Sequence, residues 1–113
     1  MKQVEDAERL AQNRLMDKGL VIAKLRDHES ELRAAGIVHL RIFGSVARGQ
    51  SSTSSDVDLM ADFDTSRRMT LIKVGRLQLR LSTMLGANVE LSSAEWMREP
   101  IKSHAIREAV LAF

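Results

Sequence analysis

Residues 56–63 alternate strictly between two classes of side chain, and no other feature of this chain restricts its fold as much. The even-numbered positions carry three acids and a methionine: Asp56, Asp58, Met60 and Asp62. The odd-numbered positions are all apolar: Val57, Leu59, Ala61 and Phe63. Because successive side chains of a strand point to opposite faces of a sheet, this pattern predicts a strand with an apolar back and an acidic front.

Two further strands and several helices are predicted around it. The apolar, β-branched run 37–43 lies between two glycines and predicts a strand, and a shorter strand is predicted over 88–91 with Glu90 outward. The predicted helices cover 3–16, about 20–35, a short turn that opens at Gly44, 68–85, a short segment after 92, and 100–113. The segment 51–55, all Ser or Thr, is predicted to be a loop.

Two of these predictions depend on particular patterns. Leu77, Leu79 and Leu81 alternate as in a strand, but the length of the segment 68–85 favours a helix. Ser92 and Glu95 match a capping box before the next short helix. The order α-α-β-α-β-α-β-α-α predicts an α/β fold, with helices packed on a small sheet.

Composition excludes several classes of protein. A chain of 113 residues forms one domain rather than two, and its lack of cysteine excludes a disulfide scaffold, a thiolate nucleophile and Cys-ligated zinc. No apolar run reaches the roughly 18 residues of a membrane span. The acidic N-terminal sequence does not resemble a signal peptide, so we expect a cytoplasmic protein.

Charge is segregated along the chain, although the net charge is only +2. Four acids and no base lie within 56–64, whereas five basic residues and no acid lie within 65–89. A carboxylate cluster beside a basic stretch suits a site for metal and phosphate. Lys73, Arg76 and Arg80 share one helical face, which either lines the phosphate side, meets an acidic partner or is simply solvated.

Gly44 and Ser45 directly follow the predicted strand 37–43. Glycine lets the backbone approach a ligand closely, and the free N–H groups at a helix start attract phosphate. The Ser45 hydroxyl adds a donor. Gly-Ser turns are common, however, so this feature alone favours an ordinary turn over a phosphate site.

Asp56 and Asp58 share a strand face, and their carboxylates repel each other unless a cation neutralises them. Their backbone separation of roughly 6–7 Å lets both side chains reach one hard cation such as Mg²⁺. Glu90, outward on a neighbouring strand, could complete a metal site or accept a proton. The alternatives are a solvated strand face for the two aspartates and an isolated surface glutamate.

The spacing of these motifs resembles that of a known family. Gly44-Ser45-Val46-Ala47-Arg48-Gly49 is followed, after a short loop, by Ser55-Asp56-Val57-Asp58-Leu59. This pattern is similar to the signature of the minimal nucleotidyltransferases of the DNA polymerase β superfamily. The resemblance covers about residue 16 to the C-terminus, and it implies a polymerase-β-like core with a small mixed sheet.

The resemblance implies a role for each motif residue. Gly44 and Ser45 would hold the terminal phosphates of a nucleotide, and Asp56 and Asp58 would bind Mg²⁺ or Mn²⁺. Glu90 stands where the family usually has aspartate, and would be the third catalytic and metal-binding acid with a side chain one methylene longer. Arg48 would contact phosphate or pair with a carboxylate and hold the loop, a role that its guanidinium suits well.

The resemblance also implies partners. Similar short proteins are antitoxins of HEPN-domain toxins, and some transfer AMP from ATP to a tyrosine hydroxyl of the toxin. The alternative is a degenerate binding module that neutralises its partner by contact without catalysis. We expect no membrane or direct nucleic-acid binding, and homo-oligomers are compatible with the sequence. Residues 17–113 would form the nucleotidyltransferase domain, and 1–16 a helical extension that packs on a second copy or on the partner, or else frays.

Overall fold

The computed structural model describes residues 17–50 and 56–113 and has the expected α/β architecture. The described helices are α1 (Lys18–Asp27), α2 (Glu29–Ala34), α3 (Gly44–Ala47), α4 (Leu71–Leu85) and α5 (Ile101–Glu108). The described strands are β1 (Ile37–Phe43), β2 (Val57–Phe63), β3 (Val89–Ser93) and β4 (Val110–Leu111). A 3₁₀ turn, Ala94–Trp96, follows β3. The predicted helix 3–16 and loop 51–55 lie outside the described residues.

The sheet is mixed, as the family resemblance implies. Its strand order is β3-β2-β1-β4, with β1 antiparallel to both β2 and β4, and β2 parallel to β3. Parallel neighbours need a long crossover, which α4 supplies between β2 and β3. This parallel pairing places residues 57–61 of β2 directly beside residues 89–93 of β3.

The alternation of residues 57–63 is reproduced in the packing of β2. Val57, Leu59 and Ala61 are fully buried against α1, α2 and α4, whose core side chains include Leu25 and Leu81. The acidic front is less open than the pattern suggests, because Met60 is also buried. Helix α5 crosses this second face of the sheet, and its residues line a cavity together with Met60.

The predicted helix 20–35 is divided at His28. Helix α1 begins earlier than expected, because the Asp17 carboxylate accepts hydrogen bonds from the N–H groups of Gly19 and Leu20. His28 leaves the helical conformation, with φ −105° and ψ 12°, and its imidazole contacts the Glu31 carboxylate. Both α1 and α2 still bury one face. The apolar periodicity of 20–35 therefore continues through His28 and gives no sign that the helix is interrupted there.

The segment 68–85 contains a helix, as its length indicated, but the helix begins at Leu71 rather than at 68. Thr70 caps the N-terminus of α4 by accepting from the Lys73 N–H, and Gly86 ends the helix in the left-handed conformation at φ 65°. Leu79, which a strand would have buried beside Leu77 and Leu81, is 69% exposed.

Two predictions for the C-terminal third are wrong. The capping-box helix is a 3₁₀ turn without a side-chain cap, because Ser92 and Ser93 continue β3 and pair with β2. The last helix starts after Pro100, as expected, but ends at Glu108 rather than Phe113. The chain then forms β4 beside β1, where the Ala112 N–H donates to the Leu40 carbonyl at 2.8 Å and Phe113 is buried.

In the described ranges, no helix is long and apolar enough to cross a membrane.

Candidate active site

The turn after β1 lies in contact with the acidic face of β2. Phe43, the last residue of β1, pairs with Asp58, so the chain enters Gly44 immediately beside the Asp58 carboxylate. Gly44 is buried and has φ +74°. A Cβ atom at this position would lie 2.2 Å from Oδ2 of Asp58. Glycine is therefore required both by the backbone conformation and by the close approach.

Asp58 and Glu90 are side by side because β2 and β3 are parallel and in register at these residues. Burial of Asp58, reinforced by the negative charge of Glu90, raises the pKa of Asp58 to about 6. Glu90 itself is exposed, at the open end of the pair. The sheet thus concentrates negative charge at one point, where a cation would relieve the repulsion.

Asp56 precedes β2 and is exposed, and its charge also contributes to the raised pKa of Asp58. The three carboxylates offer the hard oxygen donors that Mg²⁺ and Mn²⁺ take, so the donor set fits a divalent cation. Within 17–50 and 56–113, however, the side chains form no group of three or more ligands in a metal-holding arrangement. The metal triad of Asp56, Asp58 and Glu90 accordingly stays a prediction. The parallel register of β2 and β3 accounts for the proximity of two of its members, Asp58 and Glu90.

Ser45 lies in the first turn of α3 and is half-buried. Its carbonyl accepts a hydrogen bond from the Gln50 N–H at 2.9 Å, which closes the segment that contains the motif. Ser45 therefore directly follows the residue that contacts Asp58. This is the position at which the sequence predicts a phosphate-binding hydroxyl. Its contact with phosphate stays a prediction.

Arg48 pairs with a carboxylate that the sequence analysis did not single out. Nη1 of Arg48 lies 2.8 Å from Oε2 of Glu108, at the end of α5. The other oxygen of Glu108 accepts a hydrogen bond from the Gly44 N–H at 2.9 Å, so this N–H is not among the free donors that the sequence predicts at the helix start. The structural role considered for Arg48 is thus present, and its contact with phosphate stays a prediction. No sequence signal links Glu108 to Gly44, since 64 residues separate them.

A cavity of about 570 Å³ continues the same sheet face beyond Asp58. Its walls come from β1, β2, α5 and the 3₁₀ turn, and include Arg41, Met60, Asp62, Lys102 and Ile106. An ion pair of 2.6 Å joins Arg41 to Asp62 across β1 and β2. Of the three predicted site acids Asp56, Asp58 and Glu90, none lines this cavity.

The basic residues of α4 lie on the other side of the sheet from Asp58. Helix α4 packs on the apolar back of β2, Arg80 pairs with Glu31 of α2 at 3.0 Å, and the Lys73 ammonium donates to the Arg68 carbonyl. The proposal that this face lines the phosphate side of the acidic site is therefore wrong. A role toward an acidic partner stays open.

Known proteins are similar to this chain in both sequence and fold. The chain is 33% identical over 87 residues to the protein adenylyltransferase MntA of Thermococcus cleftensis, covering 76% of this chain and 86% of the relative. A solved structure described as a minimal nucleotidyltransferase superposes with a TM-score of 0.70 and 34% identity, covering 83% of this chain and 94% of that chain.

More distant structures share the fold alone. One is a tri-AMPylated HEPN toxin of Shewanella oneidensis in complex with MNT antitoxin, with a TM-score of 0.63 and 15% identity, covering 85% of this chain and 71% of that one. The family model "Polymerase beta, Nucleotidyltransferase" matches residues 21–113, which include every motif residue of the site. The chain therefore belongs to the polymerase beta nucleotidyltransferase family, and it is a nucleotidyltransferase.

Proposed function

We propose that this protein is the antitoxin of a toxin–antitoxin pair and transfers AMP from ATP to a hydroxyl group, a tyrosine hydroxyl in particular, of a HEPN-type toxin. The observation that carries the proposal is the contact between Gly44 and Asp58, which places the Gly44–Ser45 turn directly beside the paired carboxylates of Asp58 and Glu90. A nucleoside triphosphate bound with a divalent cation requires these two features next to each other.

The reaction is an in-line displacement at the α-phosphorus. The toxin hydroxyl oxygen forms a new P–O bond, the bond from the α-phosphorus to the bridging oxygen breaks, and pyrophosphate leaves. The Gly44–Ser45 turn holds the β- and γ-phosphates, which become the leaving group. The exposed Glu90 carboxylate, at the open side of the site, accepts the hydroxyl proton.

Asp56, Asp58 and Glu90 would hold a Mg²⁺ or Mn²⁺ ion. When bound there, the ion would supply neutralisation of the negative charge on the phosphate oxygens. What the chain itself supplies is position: β1, β2 and β3 place the turn and the carboxylates of Asp58 and Glu90 side by side, so little reorganisation should accompany transfer.

The names of the relatives support this choice of substrate. The Thermococcus relative is named a protein adenylyltransferase, and the Shewanella complex contains an AMPylated HEPN toxin with its MNT antitoxin. A HEPN-domain protein encoded beside this chain is therefore the first acceptor to test.

The experiment incubates the purified protein with MgCl₂, a co-encoded HEPN-domain protein and ATP labelled at either the α- or the γ-phosphate. Label from α-labelled ATP alone should appear on the toxin, and mass spectrometry should place AMP on tyrosine. Asp58→Asn should abolish the labelling while still forming the complex. Label from γ-labelled ATP would indicate a kinase and contradict the proposal.

A second candidate is a binding module that neutralises the toxin without catalysis. It is favoured by Glu90, whose longer side chain stands where the family usually has aspartate. In that case wild type and Asp58→Asn would protect cells from the toxin equally, and neither would label it. Glu90→Asp restores the usual acid, so a gain of transfer in this variant alone would identify the substitution as the cause.

A further inference from the structure

Glu108 makes two separate contacts with the motif that precedes the acidic strand. One carboxylate oxygen accepts from the Gly44 N–H at 2.9 Å, and the other lies 2.8 Å from Nη1 of Arg48. The side chain of Glu108 is only 15% exposed. The exposed His104, one turn earlier on α5, has its Nε2 3.9 Å from the same carboxylate.

The two contacts require a carboxylate. Each oxygen of an ionised carboxylate is an acceptor, whereas an amide of the same shape offers one acceptor and one donor. A glutamine could therefore bond to the Gly44 N–H or to Arg48, but not to both. The Arg48 guanidinium and the Gly44 N–H hold the pKa of Glu108 below its usual value despite its burial, so the side chain is ionised at neutral pH.

The hydrogen bond from the Gly44 N–H to Glu108 acts on a glycine of the motif. Gly44 stands at φ +74° against the Asp58 carboxylate, and glycine loses more conformational freedom on ordering than any other residue. Fixing its peptide plane from α5 orders the turn before a ligand arrives. Binding then does not have to supply that ordering cost.

We infer that Glu108 is a positioning residue for the nucleotide: it holds Gly44 and Arg48 in the geometry in which the Gly44–Arg48 turn receives a triphosphate. The inference rests on the proposed function in that it takes ATP as the ligand of this turn. A negative charge next to a phosphate site would otherwise weaken binding. Here the charge is already bonded to Arg48 and to the backbone, so its ordering effect outweighs its repulsion.

The test compares Glu108→Gln with Glu99→Gln, which makes the same chemical change at an exposed carboxylate just before α5. Binding of MgATP is measured by calorimetry and folding by thermal denaturation. We expect Glu108→Gln to weaken MgATP binding roughly tenfold while the chain remains folded. Glu99→Gln should bind as wild type does.

A spectroscopic signature separates positioning from general stability. In ¹⁵N-labelled protein without nucleotide, the Gly44 amide proton should move upfield in Glu108→Gln, because it loses a bond to a charged acceptor. Glu108→Asp keeps both acceptors on a shorter arm, so its affinity should fall between those of wild type and Glu108→Gln. If Glu108→Gln does not fold, the affinity of Glu108→Asp is compared with that of the wild type instead.

Three outcomes would overturn the inference: unchanged MgATP affinity in Glu108→Gln, equal affinities of the Asp and Gln variants, and tighter binding in Glu108→Gln. The last would identify Glu108 as a competitor of phosphate. Failure of the proposed function looks different, since a wild-type protein that binds MgATP but labels no toxin contradicts transfer and leaves the affinity comparison valid.

Discussion

At the scale of single residues, the site depends on one glycine that no other residue can replace. Gly44 combines a left-handed backbone with a contact that leaves no room for a Cβ atom, which would lie 2.2 Å from Asp58. Gly75, by contrast, lies within helix α4 with nothing within 4 Å of the position of an added Cβ. The two glycines provide a matched pair of substitutions.

Gly44→Ala should lower the free energy of unfolding by about 2 kcal/mol or more and weaken MgATP binding, because strain and overlap with Asp58 act together. Gly75→Ala should instead stabilise the protein by about 0.5–1 kcal/mol, since alanine favours the helix. Urea denaturation and calorimetry measure both. A Gly44→Ala variant as stable and as tightly binding as wild type would rule out the close contact.

Asp58 should make the metal-free protein less stable as pH rises. Its pKa is about 6 in the folded state and near the usual 3.8 in the unfolded state, so between these values the folded protein binds more protons. The free energy of unfolding therefore falls from pH 4 to pH 6, by about 1 kcal/mol after solvent screening of this half-buried group.

Asp58→Asn should remove this pH dependence and raise the melting temperature above pH 6. Saturating Mg²⁺ should have a similar effect on the wild type, because the cation favours the ionised carboxylate. Thermal melts between pH 4 and pH 7, with and without MgCl₂, test the prediction. A wild-type stability that rises through this window would show that Asp58 is not destabilised by its neighbours.

At the scale of secondary-structure elements, the strand β4 joins the C-terminus to the core. Phe113 is 8% exposed, Arg33 stacks over its ring at 5.0 Å, and Nε of Arg26 donates to the Ala112 carbonyl at 2.7 Å. Because only Ala109 separates Glu108 from β4, this anchoring also determines where α5 ends relative to the Gly44 turn.

Phe113→Ala should therefore lower the free energy of unfolding by about 3 kcal/mol, the usual cost of truncating a buried aromatic side chain. Leu111→Ala is the control, because Leu111 lies in β4, two residues before Phe113, and is 48% exposed, so its effect should stay within about 0.5 kcal/mol. Chemical denaturation gives both values. Equal losses in the two variants would mean that β4 is held by its backbone alone.

The outer edge of the sheet is protected by helix α4. The Gln78 side-chain oxygen accepts from the Leu91 N–H at 3.0 Å, and the Ser82 hydroxyl oxygen accepts from the Val89 N–H at 3.1 Å. These bonds satisfy backbone donors on the open side of β3 that would otherwise attract another strand. They also hold β3, and with it Glu90, against β2.

At the scale of the whole molecule, binding of ligand and metal should increase the free energy of unfolding. The acidic site and the Gly44 turn lie on one side of the sheet, and the helices that form most of the core lie on the other. Binding of MgATP to the folded state alone stabilises the protein by mass action, by about 2.7 kcal/mol at one hundred times the dissociation constant.

This stabilisation should raise the melting temperature by roughly 10 °C in a domain of this size. The shift should be absent in Asp58→Asn and should disappear when EDTA is added to the wild type. Differential scanning fluorimetry with ATP, with MgCl₂ and with both measures it. A shift with ATP that is independent of the divalent cation would contradict the metal site.

The sequence by itself determined the elements whose cause is local. The alternation of 56–63 specified a strand and its buried face, and glycine marked the ends of β1 and α4, because side-chain direction and backbone freedom depend on near neighbours in the chain. The motif spacing likewise predicts Gly44, Ser45, Asp56 and Asp58 as site residues, and the family match confirms the resemblance from which their roles are inferred.

Only the tertiary structure decided the features that join distant parts of the chain. The two-residue β4 exists because β1 offers an unpaired edge, and the parallel register that places Glu90 beside Asp58 depends on the crossover through α4. Glu108 reaches Gly44 across 64 residues because β4 anchors the chain just beyond α5. Such contacts follow from packing of the whole domain, which no short-range pattern in the sequence records.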